Sequence, residues 1–204
     1  MKEQFENLMA QCPVVAILRG ITNSEVAAVC DALYDAGIRI LEIPLNSPDA
    51  VKSIAIAAEH CKGKMAVGAG TVLTVEDVNN VFNAGGTFII SPNTDTDVIR
   101  ETKKLGMLSI PGFFTATEGF AASKAGADYL KLFPACLGPS YVKDLKAVIK
   151  TPIMAVGGVK MNNISDFMDV CCGVGIGSAL YKAGKSIEDI RKDAEDIVKA
   201  ATQG

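Results

Sequence analysis

The sequence has little of what metal-binding proteins use. Its 204 residues include a single histidine, His60, whereas a catalytic zinc site usually takes two or three imidazoles. Six cysteines are present, but none of them forms a CxxC pair, so neither a zinc ribbon nor a disulfide framework is expected. The sequence therefore predicts no metal site and a reduced, cytoplasmic protein.

Clustered charge and long apolar runs are also missing. Twenty basic and 23 acidic residues leave a net charge of −3, and no run of Lys or Arg exceeds two residues, which argues against a nucleic-acid partner. No apolar run approaches the roughly 18 residues that a membrane span needs, and the acidic N-terminus lacks the pattern of a signal peptide. We expect one domain, residues 1–204, that binds a small soluble molecule.

What the sequence does contain is a regular alternation. Amphipathic segments end at Gly37, Gly85, Gly106 and Gly126, and a short apolar run rich in strand-forming residues follows each. Glycine suits the position after a helix, and the following runs are too short to be helices. Each unit therefore predicts a helix followed by a strand.

Eight strands are predicted in this way, with helices between them. The predicted strands cover residues 14–18, 38–45, 64–67, 87–91, 107–110, 128–133, 152–156 and 174–177. Helix starts are indicated at Ser47-Pro48-Asp49, at Thr74 and at Thr115 with Glu118, among others. The fold class is α/β, a single (β/α)₈ barrel with a short N-terminal helix. An open doubly wound sheet is the alternative, but even unit lengths and no Gly-x-Gly-x-x-Gly turn favour the barrel.

The predicted catalytic residues are Lys131 and Glu42, because barrels carry their chemistry at the C-terminal ends of the strands. A buried lysine retains some free amine, which attacks ketones, and a carboxylate opposite it suits proton transfer. The alternatives are a lysine whose head group reaches solvent and a structural ion pair.

Binding residues are predicted in the loops. Gly157 and Gly158 follow the seventh strand, and Gly177 and Ser178 follow the eighth, where barrels often bind phosphate; each pair alone is equally consistent with a simple turn. Arg19 suits a carboxylate or phosphate, or a rim ion pair. Thr71 follows a predicted Gly68-Ala69-Gly70 turn, as a ligand contact or a local cap.

These residues resemble the bacterial Schiff-base aldolases of 2-keto-3-deoxy-6-phosphogluconate, 6-phosphogalactonate and 4-hydroxy-2-oxoglutarate, over almost the whole chain. The motifs that carry the resemblance are Val14-Val-Ala-Ile-Leu-Arg19, Ile40-Leu-Glu-Ile43, Val67-Gly-Ala-Gly-Thr-Val-Leu73, Lys131-Leu-Phe-Pro-Ala135, Ala155-Val-Gly-Gly158 and Gly175-Ile-Gly-Ser178. The resemblance implies a homotrimer that needs no cofactor or metal.

By the same resemblance, Lys131 is the Schiff-base lysine and Glu42 the acid/base carboxylate. Arg19 and Thr71 contact the pyruvate half of the substrate, and Gly158, Gly177 and Ser178 contact its phosphate. The chain departs from the gluconate-type pattern at Asn46, where those members tend to have arginine. We therefore expect cleavage of 2-dehydro-3-deoxy-6-phosphogalactonate to pyruvate and glyceraldehyde 3-phosphate.

Alternative functions remain at this point. The gluconate epimer or 4-hydroxy-2-oxoglutarate is the nearest alternative substrate. A phosphate-binding epimerase or isomerase would use the same loops without a reactive lysine. A sugar-phosphate sensor would keep the loops and do no chemistry.

Overall fold

The computed structural model describes residues 1–202 and has the predicted α/β-barrel architecture. Its strands are β1 (Val14–Ile17), β2 (Ile40–Pro44), β3 (Ala66–Gly70), β4 (Phe88–Ile90), β5 (Leu108–Ile110), β6 (Gly112–Phe113), β7 (Leu130–Leu132), β8 (Ile153–Val156) and β9 (Gly173–Ile176). Its helices are α1 (Lys2–Gln11), α2 (Val26–Asp35), α3 (Ala50–His60), α4 (Val75–Asn83), α5 (Thr96–Lys104), α6 (Ala116–Ala125), α7 (Gly138–Val148), α8 (Ile164–Met168) and α9 (Ile187–Thr202).

The barrel closes at Pro111. The strands pair in parallel in the order β5-β4-β3-β2-β1-β9-β8-β7-β6, so the two ends of the sheet are β5 and β6, which are adjacent in the chain. Pro111 separates them because proline has no N–H for the ladder, yet its carbonyl accepts from the Lys131 N–H at 2.9 Å. The fifth strand, predicted over residues 107–110, is therefore followed, after Pro111, by a further strand of two residues, Gly112 and Phe113.

The third strand also lies elsewhere than predicted. It covers Ala66–Gly70 instead of residues 64–67, so Gly68-Ala69-Gly70 is strand and not a turn. Glycine ordinarily weakens a strand, but here the barrel interior requires it. A Cβ on Gly70 would stand 1.3 Å from Glu42 Oε2, and one on Gly68 would stand 2.4 Å from the Phe88 carbonyl oxygen.

The predicted N-terminal helix is present as α1, and it packs against the lower barrel interior, which is the part at the N-terminal ends of the strands. Phe5, Leu8 and Met9 of α1 are buried in one cluster with interior residues such as Phe88 and Tyr129. The Phe5 ring lies 5.4 Å from the Phe88 ring and 5.5 Å from the Tyr129 ring, measured between centroids. Large side chains therefore fill the lower barrel.

Two predicted helix starts are confirmed with their capping mechanism. Thr74 and Thr115 each accept a hydrogen bond from a backbone N–H of the first turn, and Asp77 and Glu118 bond back to them. The start indicated at Ser47-Pro48-Asp49 lies directly before α3, which begins at Ala50, but Asp49 makes no side-chain capping hydrogen bond. None of the helices in residues 1–202 is both long and apolar enough to cross a membrane.

Candidate active site

Glu42 and Lys131 face the barrel interior because of strand periodicity. Side chains alternate along a strand, and Ile40 and Tyr129 lie in the interior cluster beneath. Glu42 and Lys131 each come two residues later in the chain, so they stand on the same face, one layer nearer the C-terminal mouth. Glu42 is 2% exposed and Lys131 is 7% exposed. The lysine head group therefore does not reach out to solvent.

Burial changes the charge preference of both groups. It raises the pKa of Glu42, against the opposing effect of the positive charges on Lys131 and Arg19. It lowers the pKa of Lys131, helped by Arg19 and opposed by the negative charge of Glu42. Desolvation disfavours the charged form of each group, so the site favours a free amine beside a carboxyl group that can hold a proton.

The two groups are neighbours without forming a closed ion pair. Among residues 1–202 no salt bridge joins them, and the buried Glu42 Oε2 has no hydrogen-bond partner in that part of the chain. A buried acceptor left unbonded costs about 1–3 kcal/mol. This oxygen is therefore open to a proton donor that enters the site.

A single cavity of about 750 Å³ contains most of the predicted site residues. Its lining includes Arg19, Glu42, Lys131, Gly157, Gly158, Gly177 and Ser178. Thr71 is not among the described residues that line this cavity; it directly follows β3 in a left-handed conformation with φ of 55°. The structure thus brings together seven of the eight predicted catalytic and binding residues and leaves Thr71 outside the cavity wall.

Arg19 is held at the cavity by a neutral partner. Its Nη1 donates to Asn46 Oδ1 at 2.6 Å, and no carboxylate of the described residues forms a salt bridge with it. The full positive charge of the guanidinium therefore remains available to an anion in the cavity.

Phe133 is a site residue that the sequence reasoning missed. Its ring lines the cavity, and Lys131 Nζ lies 4.6 Å from the ring centroid, within the range of a cation–π contact. A Cβ on Gly157, whose φ is 80°, would stand 3.2 Å from this ring. The alternation rule could have flagged Phe133, because it lies two residues beyond Lys131.

Two lysines of the lining were also missed. Lys160 and Lys182 are exposed, line the cavity and follow the two glycine-containing turns shortly along the chain. Neither forms a salt bridge with a described residue. Their closeness in sequence to Gly158 and Ser178 could have indicated that they line the cavity. The turns and these two cations give one end of the cavity a positive character.

The fold and the cavity define a class of protein: a parallel barrel whose C-terminal mouth presents a buried amine, a buried carboxyl group and a cationic end. Within residues 1–202 no cluster of three or more His, Cys, Asp or Glu side chains is placed to hold a metal ion. Such a site suits amine attack on a carbonyl compound that also carries negative charge.

Comparison with known proteins agrees with this class. The family model "Aldolase: KDPG and KHG aldolase" matches residues 5–200, so the chain belongs to that family. The 2-dehydro-3-deoxy-6-phosphogalactonate aldolase of Escherichia coli (strain K12) is 45% identical over 192 residues, which are 92% of this chain and 94% of that protein.

Two solved structures show the same fold at similar identity. One, described as "Native KDPGal structure", is 44% identical with a TM-score of 0.91, over 94% of this chain and 95% of that one. The other is a cube-shaped protein cage designed by fusing symmetric oligomeric domains. It is 44% identical with a TM-score of 0.92, over 95% of this chain and 73% of that one.

Proposed function

We propose that this protein cleaves 2-dehydro-3-deoxy-6-phosphogalactonate to pyruvate and glyceraldehyde 3-phosphate through a Schiff base on Lys131. The observation that carries the proposal is the buried amine of Lys131 beside the unbonded Glu42 Oε2 in a cavity with a cationic end. Membership in the aldolase family and the 45% identical relative support it.

The first half of the reaction forms the iminium. The free amine of Lys131 adds to the C2 ketone to give a carbinolamine, and Glu42 in its protonated form donates a proton to the departing hydroxyl. The Arg19 guanidinium binds the C1 carboxylate, directly beside the carbon under attack. Phe133 limits where the lysine side chain can lie.

The second half breaks the C3–C4 bond. Glu42, now a carboxylate, takes the C4 hydroxyl proton, and the iminium accepts the electron pair of the breaking bond as an enamine. Glyceraldehyde 3-phosphate leaves, a proton returns to C3, and water releases pyruvate from Lys131. Both roles of Glu42 need a pKa near the working pH, and burial raises its pKa in that direction.

The phosphate of the substrate binds at Gly157, Gly158, Gly177 and Ser178. The positive charges of Lys160 and Lys182 neutralise part of its negative charge. Backbone N–H groups and a hydroxyl suit phosphate oxygens. This contact is remote from C2, so its binding energy serves to orient the reacting carbons.

The galactonate epimer is favoured by Asn46 as well as by the relative's name. With no arginine at this position, Arg19 must anchor the carboxylate from a different direction, which changes how C4 meets Glu42. We expect a higher kcat/KM for the galactonate epimer than for the gluconate epimer, and a loss for both with Arg19→Lys. A clear preference for the gluconate epimer, or indifference to Arg19→Lys, would contradict this assignment.

We propose that the reaction is independent of metal, because Lys131 itself supplies the electron sink. Turnover should survive EDTA, and zinc-dependent rescue of a chelated enzyme would contradict this. An epimerase, an isomerase or a sugar-phosphate sensor would cleave no C–C bond and would form no adduct with pyruvate.

The trimer and the cytoplasmic location are also proposals. The identity to a designed cage built from symmetric oligomeric domains supports self-association, and a trimer predicts about three times the 21.4 kDa chain mass in light scattering. A phosphorylated substrate, which its charge retains inside cells, supports a cytoplasmic site of action, testable by cell fractionation.

A further inference from the structure

The loops that follow β1 and β2 are tied together at the mouth of the barrel by a series of hydrogen bonds. Arg19 Nη1 donates to Asn46 Oδ1 at 2.6 Å, and the next residue along, Gly20, donates its N–H to Ser47 Oγ at 2.9 Å. Farther along the first loop, Asn23 Nδ2 donates to Ser53 Oγ, in the first turn of α3, at 2.7 Å. The two loops therefore hold a fixed register beside the cavity.

Asn46 is unusual among these contacts because it touches a side chain of the cavity wall. Arg19 is exposed and long, so it has several rotamers to lose on binding a ligand. No described carboxylate pairs with it, and Asn46 is the side chain to which it donates. Asn46 thus fixes the guanidinium before any ligand arrives.

The chemistry of the partner matters as much as its position. An amide oxygen accepts a hydrogen bond but carries no net charge. An aspartate there would hold the same geometry and neutralise the guanidinium, and an arginine there would repel it. An asparagine orients Arg19 and leaves its charge for the ligand.

We propose that Asn46 is a positioning residue for Arg19, holding the guanidinium in the orientation that receives the carboxylate of a 2-keto acid without neutralising it. The inference rests on the proposed function, because it takes a 2-keto acid as the ligand. Asn46 itself does not bind the substrate in this account. Its effect reaches the reaction through Arg19.

The test measures the concentration dependence of pyruvate trapping by borohydride for Asn46→Ala and Asn46→Asp. We expect the half-saturating pyruvate concentration to rise severalfold in the alanine variant and further in the aspartate variant. The saturated trapping rate should change less. Asn79→Ala, on the remote helix α4, is the matched control and should behave as the wild type.

The aspartate variant separates positioning from loop tethering. Aspartate keeps the acceptor oxygen, so a purely structural role predicts wild-type affinity for pyruvate, which would overturn the inference. A double-mutant cycle adds a second criterion: in an Arg19→Met background, Asn46→Ala should have no further effect on affinity. An undiminished effect there would also overturn it.

Folding and the proposed function are controlled separately. The thermal unfolding midpoint of each variant is measured; if Asn46→Ala does not fold, the soluble Asn46→Asp variant and its Arg19→Met double variant decide. If the wild type itself forms no adduct with pyruvate, the proposed function fails, whereas wild-type adduct formation with unaltered Asn46 variants refutes only the role of Asn46.

Discussion

Lys131 and Glu42 are each surrounded by apolar strand residues, and the charge of each group shifts the pKa of the other. Burial lowers the pKa of Lys131 while the carboxylate of Glu42 opposes that effect. Burial raises the pKa of Glu42 while Lys131 and Arg19 oppose it. At the residue scale, the protonation of the lysine therefore depends on the charge of one glutamate, and substitution of either group should change the titration of the other.

Replacing Glu42 with glutamine should slow cleavage and change the pH profile. Removing a general acid/base typically costs about 10²–10⁴-fold in rate. Because the negative charge of Glu42 raises the pKa of Lys131, its loss should move the midpoint of pyruvate trapping to lower pH. Glu76→Gln, at an exposed position of α4, should leave both unchanged. An unchanged kcat, or a midpoint that moves to higher pH, would contradict the role of Glu42.

Lys160→Met and Lys182→Met should weaken binding of the phosphorylated substrate. Losing one charge-assisted contact corresponds to about a tenfold rise in KM, and the effect should shrink as salt is added. Trapping of pyruvate, which has no phosphate, should be unaffected. Lys143→Met, on α7, is the control. Equal losses for substrate and pyruvate would place the phosphate elsewhere.

Several of these residue properties were readable in the sequence, and others were not. Lys131 and Glu42 stood out because each is a lone charge within an apolar run. Phe133 was passed over, because an aromatic residue beside apolar neighbours is usual in a core, although strand alternation from Lys131 indicated it. The Arg19–Asn46 contact joins residues 27 positions apart, and spacing along the chain carries no information on which loop side chains meet.

At the scale of elements, β3 shows how the site shapes a strand. From the sequence, its glycines predict a turn, because glycine is depleted in strands. In the structure Gly70 pairs with Pro44 of β2 and leaves the space that the Glu42 carboxylate occupies. The helix–glycine–strand rhythm was predictable from local chemistry, whereas a glycine required by a side chain on a neighbouring strand was not.

Gly70→Ala should therefore displace Glu42. A Cβ would stand 1.3 Å from Oε2, so the carboxylate must move, and overpacking of this kind costs about 1–3 kcal/mol. Cleavage should fall and the urea midpoint should drop. In a Glu42→Ala background the added methyl group has room, so the double variant should unfold at a higher urea concentration than Gly70→Ala alone. No recovery in the double variant would show that Gly70 serves another purpose.

At the scale of the whole molecule, barrel closure brings together residues that the sequence separates widely. Glu42 lies on the second strand and Lys131 on the seventh, and the closed sheet places both on one interior surface. The number of barrel positions was predictable from the eight repeated units. The split of the fifth at Pro111 was not, because the carbonyl of this proline joins the ladder through a partner on β7.

The central claim, a Schiff base on Lys131, is tested most directly by trapping with pyruvate and borohydride followed by tryptic mass mapping. We predict one reduced pyruvate per chain, on Lys131, in an uncut peptide covering residues 125–143 because the modified lysine resists trypsin. Lys131→Met should take up none. An unmodified wild-type protein, or an adduct at another lysine that persists in Lys131→Met, would contradict the account.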